Sequence, residues 1–193
     1  MQGKEIQLPD DGLRLYLEIA NEIMVRNLKA KLEKGNSKIK DPIQKLAITK
    51  YPFNLPANFP LISICAYLEK QRITLADLYK VLRPEADNVA EFLSLSPEEY
   101  KLVTSANHDI SKVYGASESE LKDFEKFIAQ TNTDFSKLEQ LLDCYNKIRK
   151  PTNELNVNSG TTDELDNRAL GSLHRFIRLA NKLNWSFDEL CDF

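Results

Sequence analysis

Apolar residues recur along this chain at helical spacing, broken by short polar corners. At about 100° per residue, Leu170, Leu173, Phe176, Ile177, Ala180 and Leu183 gather on one wide side of a helix. Arg168, Arg175, Arg178 and Lys182 gather on the opposite side. A first helix from about Asp11 to Lys34 shows a broader stripe, Leu13, Leu17, Ala20, Met24 and Leu28, widened by Tyr16, Ile19 and Ile23. So wide a stripe implies packing against more than one neighbour.

The corners carry their own signal. Thr74-x-x-Asp77, Ser96-x-x-Glu99, Ser117-x-x-Glu120 and Ser186-x-x-Glu189 each read as a capping box, in which a hydroxyl and a carboxylate satisfy each other's backbone N–H groups. Ile73, Leu95 and Trp185 precede three of them as hydrophobic staples, Trp185 being placed to reach Leu190, and Ala116 precedes the other as a weaker one. Pro97 suits a first helical position, and Asp134 is expected to cap a helix through Ile148. The fold class predicted is therefore all-α: one domain over 1–193, or a fragment of a longer chain, built from short capped helices without a solenoid period. Residues 35–42 read as an exposed loop. Residues 51–60 hold three prolines and read as an ordered, extended connector lying across helices, with Pro60 opening the helix Leu61 to Lys70. Residues 150–163 read as a mobile loop, with Leu155 and Val157 available for a short strand. The final helix has only Phe187 to Phe193 in which to grow, which suggests a piece of something longer or the need for a partner.

Composition narrows the function without naming it. The 193 residues are 42% hydrophobic and 28% charged, with net charge −3, so no global attraction to nucleic acid or anionic lipid is expected. No apolar run reaches the length of a membrane span, and the first residues lack a signal-peptide core. Cys65, Cys144 and Cys191 are odd in number and far apart, which argues against a disulfide or zinc framework; Cys65 and Cys144 sit among apolar helical residues and read as small buried hydrophobes over reactive thiols. His108 lies in a polar turn and His174 flanks an apolar face; both read as structural, and a titrating His174 would make a pH sensor. No phosphate loop, metal spacing or nucleophile elbow is present, so neither cofactor nor enzymatic activity is expected.

Two binding features remain. Residues 66–83 have the outline of a helix-turn-helix, but the second helix offers only Lys80 and Arg83 beside Asp77, and packing explains it better. The face Arg168, Arg175, Arg178 and Lys182, with Leu179 among the bases and Gly171 leaving a gap, either is an ordinary solvated side or grips an acidic partner.

Leu173-His174-Arg175-Phe176-Ile177-Arg178-Leu179, followed by Leu183-Asn184-Trp185-Ser186-Phe187-Asp188-Glu189-Leu190, resembles a segment of the large A subunits of bacterial insecticidal toxin complexes (Tc toxins) and the related virulence-plasmid A proteins. Tyr51-Pro52-Phe53-Asn54-Leu55-Pro56, Ala66-Tyr67-Leu68, Ile73 to Tyr79 and Leu95 to Leu102 continue the likeness in order, from about Tyr51 to Leu190. Asn184 departs from the family's usual Gly, and Ala180-Asn181 from its usual aromatic and basic pair. The resemblance implies an α-helical shell region from the N-terminal half of a very long, pentameric, secreted or surface-bound subunit. Its partners would be the rest of that subunit, neighbouring copies and, indirectly, the B and C subunits. This segment would lack the channel helices and neither insert in a membrane nor catalyse. The alternative is a stand-alone helical adaptor using the basic face.

Overall fold

The computed structural model describes residues 10–35, 37–83, 89–149, 155 and 165–193, with side chains from Leu15 onward. Twelve helices and no strand occur among them, and helix makes up 72% of the structure against about a third in an average domain, which establishes the all-α class. The chain divides into two compact units, Met1–Leu46 and Ala47–Phe193.

The first unit is dominated by α1 (Asp10–Lys34), close to its expected bounds. Its end is closed from the loop that follows. The Lys40 ammonium folds back to donate to the carbonyls of Leu32 (2.9 Å) and Gly35 (3.1 Å), filling acceptors that the last turn leaves open. The 35–42 loop is thus tied at its end, and Pro42 is already the first residue of α2 (Pro42–Ile48), a helix the sequence reading did not anticipate. On α1, Tyr16, Leu17, Ile19, Ile23 and Met24 are exposed, while Ala20 and Leu28 are half-buried and Leu32 is buried.

The second unit contains α3 (Phe59–Lys70), α4 (Leu75–Leu82), α5 (Val89–Phe92), α6 (Pro97–Thr104), α7 (Ile110–Tyr114), α8 (Glu118–Leu121), α9 (Phe124–Thr131), α10 (Phe135–Arg149), α11 (Asn167–Leu183) and α12 (Phe187–Asp192). All four expected capping boxes form, and the Asp134 carboxylate accepts from Lys137 N at 2.8 Å as expected.

One three-residue device makes five of the corners. A left-handed residue ends one helix, an apolar or threonine residue follows, and the next position caps the new helix. Arg72 (φ 57°), Ile73 and Thr74 do this between α3 and α4. Ser94 (φ 51°), Leu95 and Ser96 do it between α5 and α6. The same spacing holds for Gly115–Ala116–Ser117, Asn132–Thr133–Asp134 and Asn184–Trp185–Ser186. In the four corners without glycine, the middle residue's N–H donates back to the carbonyl five residues earlier: Ile73 to Leu68, Leu95 to Ala90, Thr133 to Ile128 and Trp185 to Ala180. That is the six-to-one bond of a Schellman stop, which satisfies a terminal carbonyl while the cap satisfies the next helix's N–H groups. Asn184 stands in the left-handed conformation that glycine favours and asparagine tolerates, so this departure from the resembled family keeps the corner intact.

The core joins α6 to α12 around α11, which packs against α6, α7 and α12, while α12 also packs on α10. Leu170, Leu173, Ile177 and Ala180 of α11 meet Val113, Tyr114, Phe127, Leu138, Leu141 and Leu142, all essentially without solvent contact. By contrast, α3 has no buried residue, and Phe59, Ile62, Ile64 and Tyr67 on it are exposed. The 150–163 loop lies outside the described residues except for Leu155, which is buried and exchanges both backbone hydrogen bonds with the Asn146 amide (2.7 and 2.9 Å).

Candidate functional site

The basic side of α11 is the sequence-derived candidate, and the fold divides it. Asp166 starts the helix by accepting from Ala169 N at 2.7 Å, which sets the phase in which Arg168, Arg175, Arg178 and Lys182 project. Arg168 is exposed and Arg175 half-buried, its Nε donating to Gly171 O at 2.9 Å. Lys182 reaches the corner between α5 and α6, donating to Ser94 O at 2.8 Å and pairing with Glu99 at 3.6 Å. Leu179 is half-buried beside Val103, Leu141, Tyr145 and Phe176. The Gly171 gap is interior: the residue is buried, and a Cβ there would meet Ala106 O at an ordinary 3.8 Å.

Arg178 corrects the expectation of a solvated stripe. It is only 7% exposed, because the proline-rich connector lies over this part of α11. Its guanidinium donates through Nη1 to Phe53 O (3.0 Å) and Leu55 O, and through Nη2 to Lys50 O. Its planar face rests on the Phe53 ring, 4.6 Å from the centroid. Three carbonyls of a segment that prolines keep out of helix thus find one rigid, forked donor. Burial pulls the Arg178 pKa down to about 10, so the group stays charged at neutral pH. The connector is held from its other side as well. Phe53 packs edge-on against Tyr114 at 5.3 Å, and the Tyr51 ring lies where a Cβ on Gly115 would come within 2.6 Å. Gly115 is therefore required both by its positive φ and by this close approach.

One turn before Arg178, His174 is fully buried and neither ring nitrogen has a hydrogen-bond partner. Its ring meets His108 at 4.8 Å, nearly perpendicular, with the Tyr114 ring at 6.3 Å. The Tyr114 hydroxyl is spent on Leu170 O at 2.9 Å. Burial first, then the positive field of His108, Arg178, Arg175 and Lys50, pushes the His174 pKa down to about 3. Burial likewise lowers His108. The two histidines looked isolated in sequence, and only the apolar flank of His174 signalled its interior position.

Two open features border these groups. A cleft of about 930 Å³ runs between the connector, α6, α11 and the start of α12, and includes Arg178, Gln130 and Lys182 in its lining. A recess of about 880 Å³ is lined by His108, Asp109, Glu118, Arg149, Arg168 and Arg175. Arg149, on α10, joins Arg168 and Arg175 there, a partner that periodicity within α11 had no means to reveal. No group of three or more potential metal ligands occurs among the described residues. The arrangement around Arg178 is chemically a clamp: a fixed cation whose Nη1 and Nη2 donate to backbone carbonyls, its Nε buried without a hydrogen-bond partner, beside a histidine held neutral by burial. No protein-family model, curated protein or solved structure matches the chain.

Proposed function

We propose that the chain is a non-catalytic helical packing module of a larger protein assembly, and specifically a shell region of a Tc-type toxin A subunit. The supporting observation is apolar surface left open on regular helices. Tyr16, Leu17, Ile19, Ile23 and Met24 form one side of α1, and Phe59, Ile62, Ile64 and Tyr67 stand on α3. Val81 and Leu82 of α4 and Phe92 of α5 extend the set, at 80%, 65% and 71% exposure. Single exposed apolar residues are ordinary, but groups of this kind on consecutive helices mark surfaces that other polypeptide covers. In this reading the cover comes from the rest of the same long subunit and from neighbouring copies in a pentamer. The B and C subunits are reached only indirectly, and Arg178 serves to fix the connector. No described helix is long and apolar enough to cross a membrane. Liposome leakage and light scattering test the proposal together: association of the full chain without dye release is expected, and leakage by this chain alone would overturn it.

The recess supports a second reading, an adaptor gripping an acidic partner, because Arg149, Arg168 and Arg175 converge on it. Arg178 and Lys182, engaged with backbone carbonyls, are not the residues to test. Reversing Arg168 and Arg175 to Glu would abolish capture of an acidic peptide while leaving helicity unchanged; retained capture would dismiss the adaptor.

A further inference from the structure

α12 is six residues long, too short to persist without support, and its main support is α10. The joint has a regular construction. Gln140, Cys144 and Lys147 lie at successive turns on one side of α10, and each meets α12. Gln140 Nε2 donates to Asp188 Oδ2 at 3.0 Å, and Lys147 Nζ pairs with Asp192 Oδ1 at 2.6 Å. Between them, the Cys144 thiol donates to Phe187 O at 3.6 Å. In an α-helix that carbonyl is the acceptor for the N–H four residues on, which here belongs to Cys191. The sulfur of Cys144 therefore sits beside the turn that ends in Cys191. Burial, then the neighbouring Cys191 thiol, pushes the Cys144 thiol up to about 12.

Both thiols are free, but they differ in access. Cys144 is 4% exposed and Cys191 is half-buried. Cys65, on α3, is the third and stands apart from this joint in the chain.

We propose that Cys144 and Cys191 form a redox-modification site, a dithiol that low-molecular-weight disulfides oxidise to an internal disulfide fastening α12 to α10. The Cys191 thiolate attacks one sulfur of the small disulfide, whose S–S bond breaks. The departing thiolate takes up a proton, leaving a mixed disulfide on Cys191. Cys144 then gives up its proton and attacks the Cys191 sulfur, releasing the second small thiol. Two protein thiols are oxidised, one external disulfide is reduced to two thiols, and no metal or oxygen takes part. The buried Cys144 makes the second step the slower one and speeds it as pH rises. The competing account is that both residues are packing hydrophobes whose sulfurs happen to be neighbours.

The test equilibrates the reduced full chain with glutathione disulfide at mildly alkaline pH and maps cysteines by mass spectrometry after alkylation. The expected product is a Cys144–Cys191 linked peptide lighter by two hydrogens, with Cys65 either free or glutathionylated. Cys144→Ser should trap glutathione on Cys191, and oxidation should raise the thermal midpoint by about 5 °C in wild type but not in Cys144→Ser or Cys191→Ser. A persistent glutathione adduct on wild-type Cys191, or modification of Cys65 with Cys144 and Cys191 both left reduced, would overturn the proposal.

Discussion

Arg178 and His174 lie one turn apart on α11 and both are buried, Arg178 under the connector and His174 against His108 and Tyr114, with opposite consequences for charge. Arg178 stays charged, since burial lowers its pKa only to about 10, and its guanidinium donates to three carbonyls. Replacing it by Leu would leave those carbonyls without their donor, and Lys would offer no planar fork to span them. Each variant is expected to lose at least about 2 kcal/mol in urea unfolding; a loss under about 0.5 kcal/mol would show the carbonyls find other partners. His174 has no partner and stays neutral when folded. The unfolded chain takes up a proton below its ordinary pKa near 6.5, while the folded one resists until about 3. Its contribution is therefore complete above neutrality and is lost as pH falls through that window. Between pH 7 and pH 5 the wild type should lose about 2 kcal/mol more than His174→Leu. Parallel pH profiles of the two would contradict the burial of a neutral imidazole. Of these two residues, His174 was readable as interior from its place beside Leu170, Leu173 and Ile177. Arg178 was not, because only the long-range return of the connector distinguishes it from Arg175.

The corners are the elements that sequence reports most directly, since a capping box is a local chemical pattern with both partners three residues apart. All four boxes formed where Thr74, Ser96, Ser117 and Ser186 indicated. The helices capped by Asp109 and Asp123 carry no such signature, because their third positions hold Lys112 and Lys126 and complete no box. The left-handed residue two places before each cap was hidden for a related reason: at Arg72 and Ser94 it carries no glycine or asparagine to announce it. Those positions hold strain that glycine would relieve, so Ser94→Gly should stabilise the chain by about 0.5–1 kcal/mol. Gly115→Ala should do the reverse, costing about 2 kcal/mol or more, since it adds both a left-handed penalty and a clash with the Tyr51 ring. Paired denaturation midpoints check this contrast; equal effects of one sign would refute the corner geometry.

At the scale of the molecule, two levels of organisation coexist. The core around α11 is closed, with tyrosine, phenylalanine and leucine side chains removed from water. α1 and α3 are regular helices on which Tyr16, Leu17, Ile19, Ile23, Met24, Phe59, Ile62, Ile64 and Tyr67 remain in it. The sequence pattern identified the α1 stripe as a packing surface but carried no information about what packs there, because complementarity resides in the other surface. The account holds that these faces are contact surfaces for further polypeptide. The most direct measurement is sedimentation velocity of the full chain from about 1 to about 100 µM, beside a variant carrying Ile23→Asp, Met24→Asp, Ile62→Asp and Tyr67→Asp. The account predicts wild-type species heavier than the 22.1 kDa monomer as concentration rises, and a variant that stays monomeric with unchanged helicity. A wild type that remains strictly monomeric throughout, or association that survives all four aspartates, would contradict it.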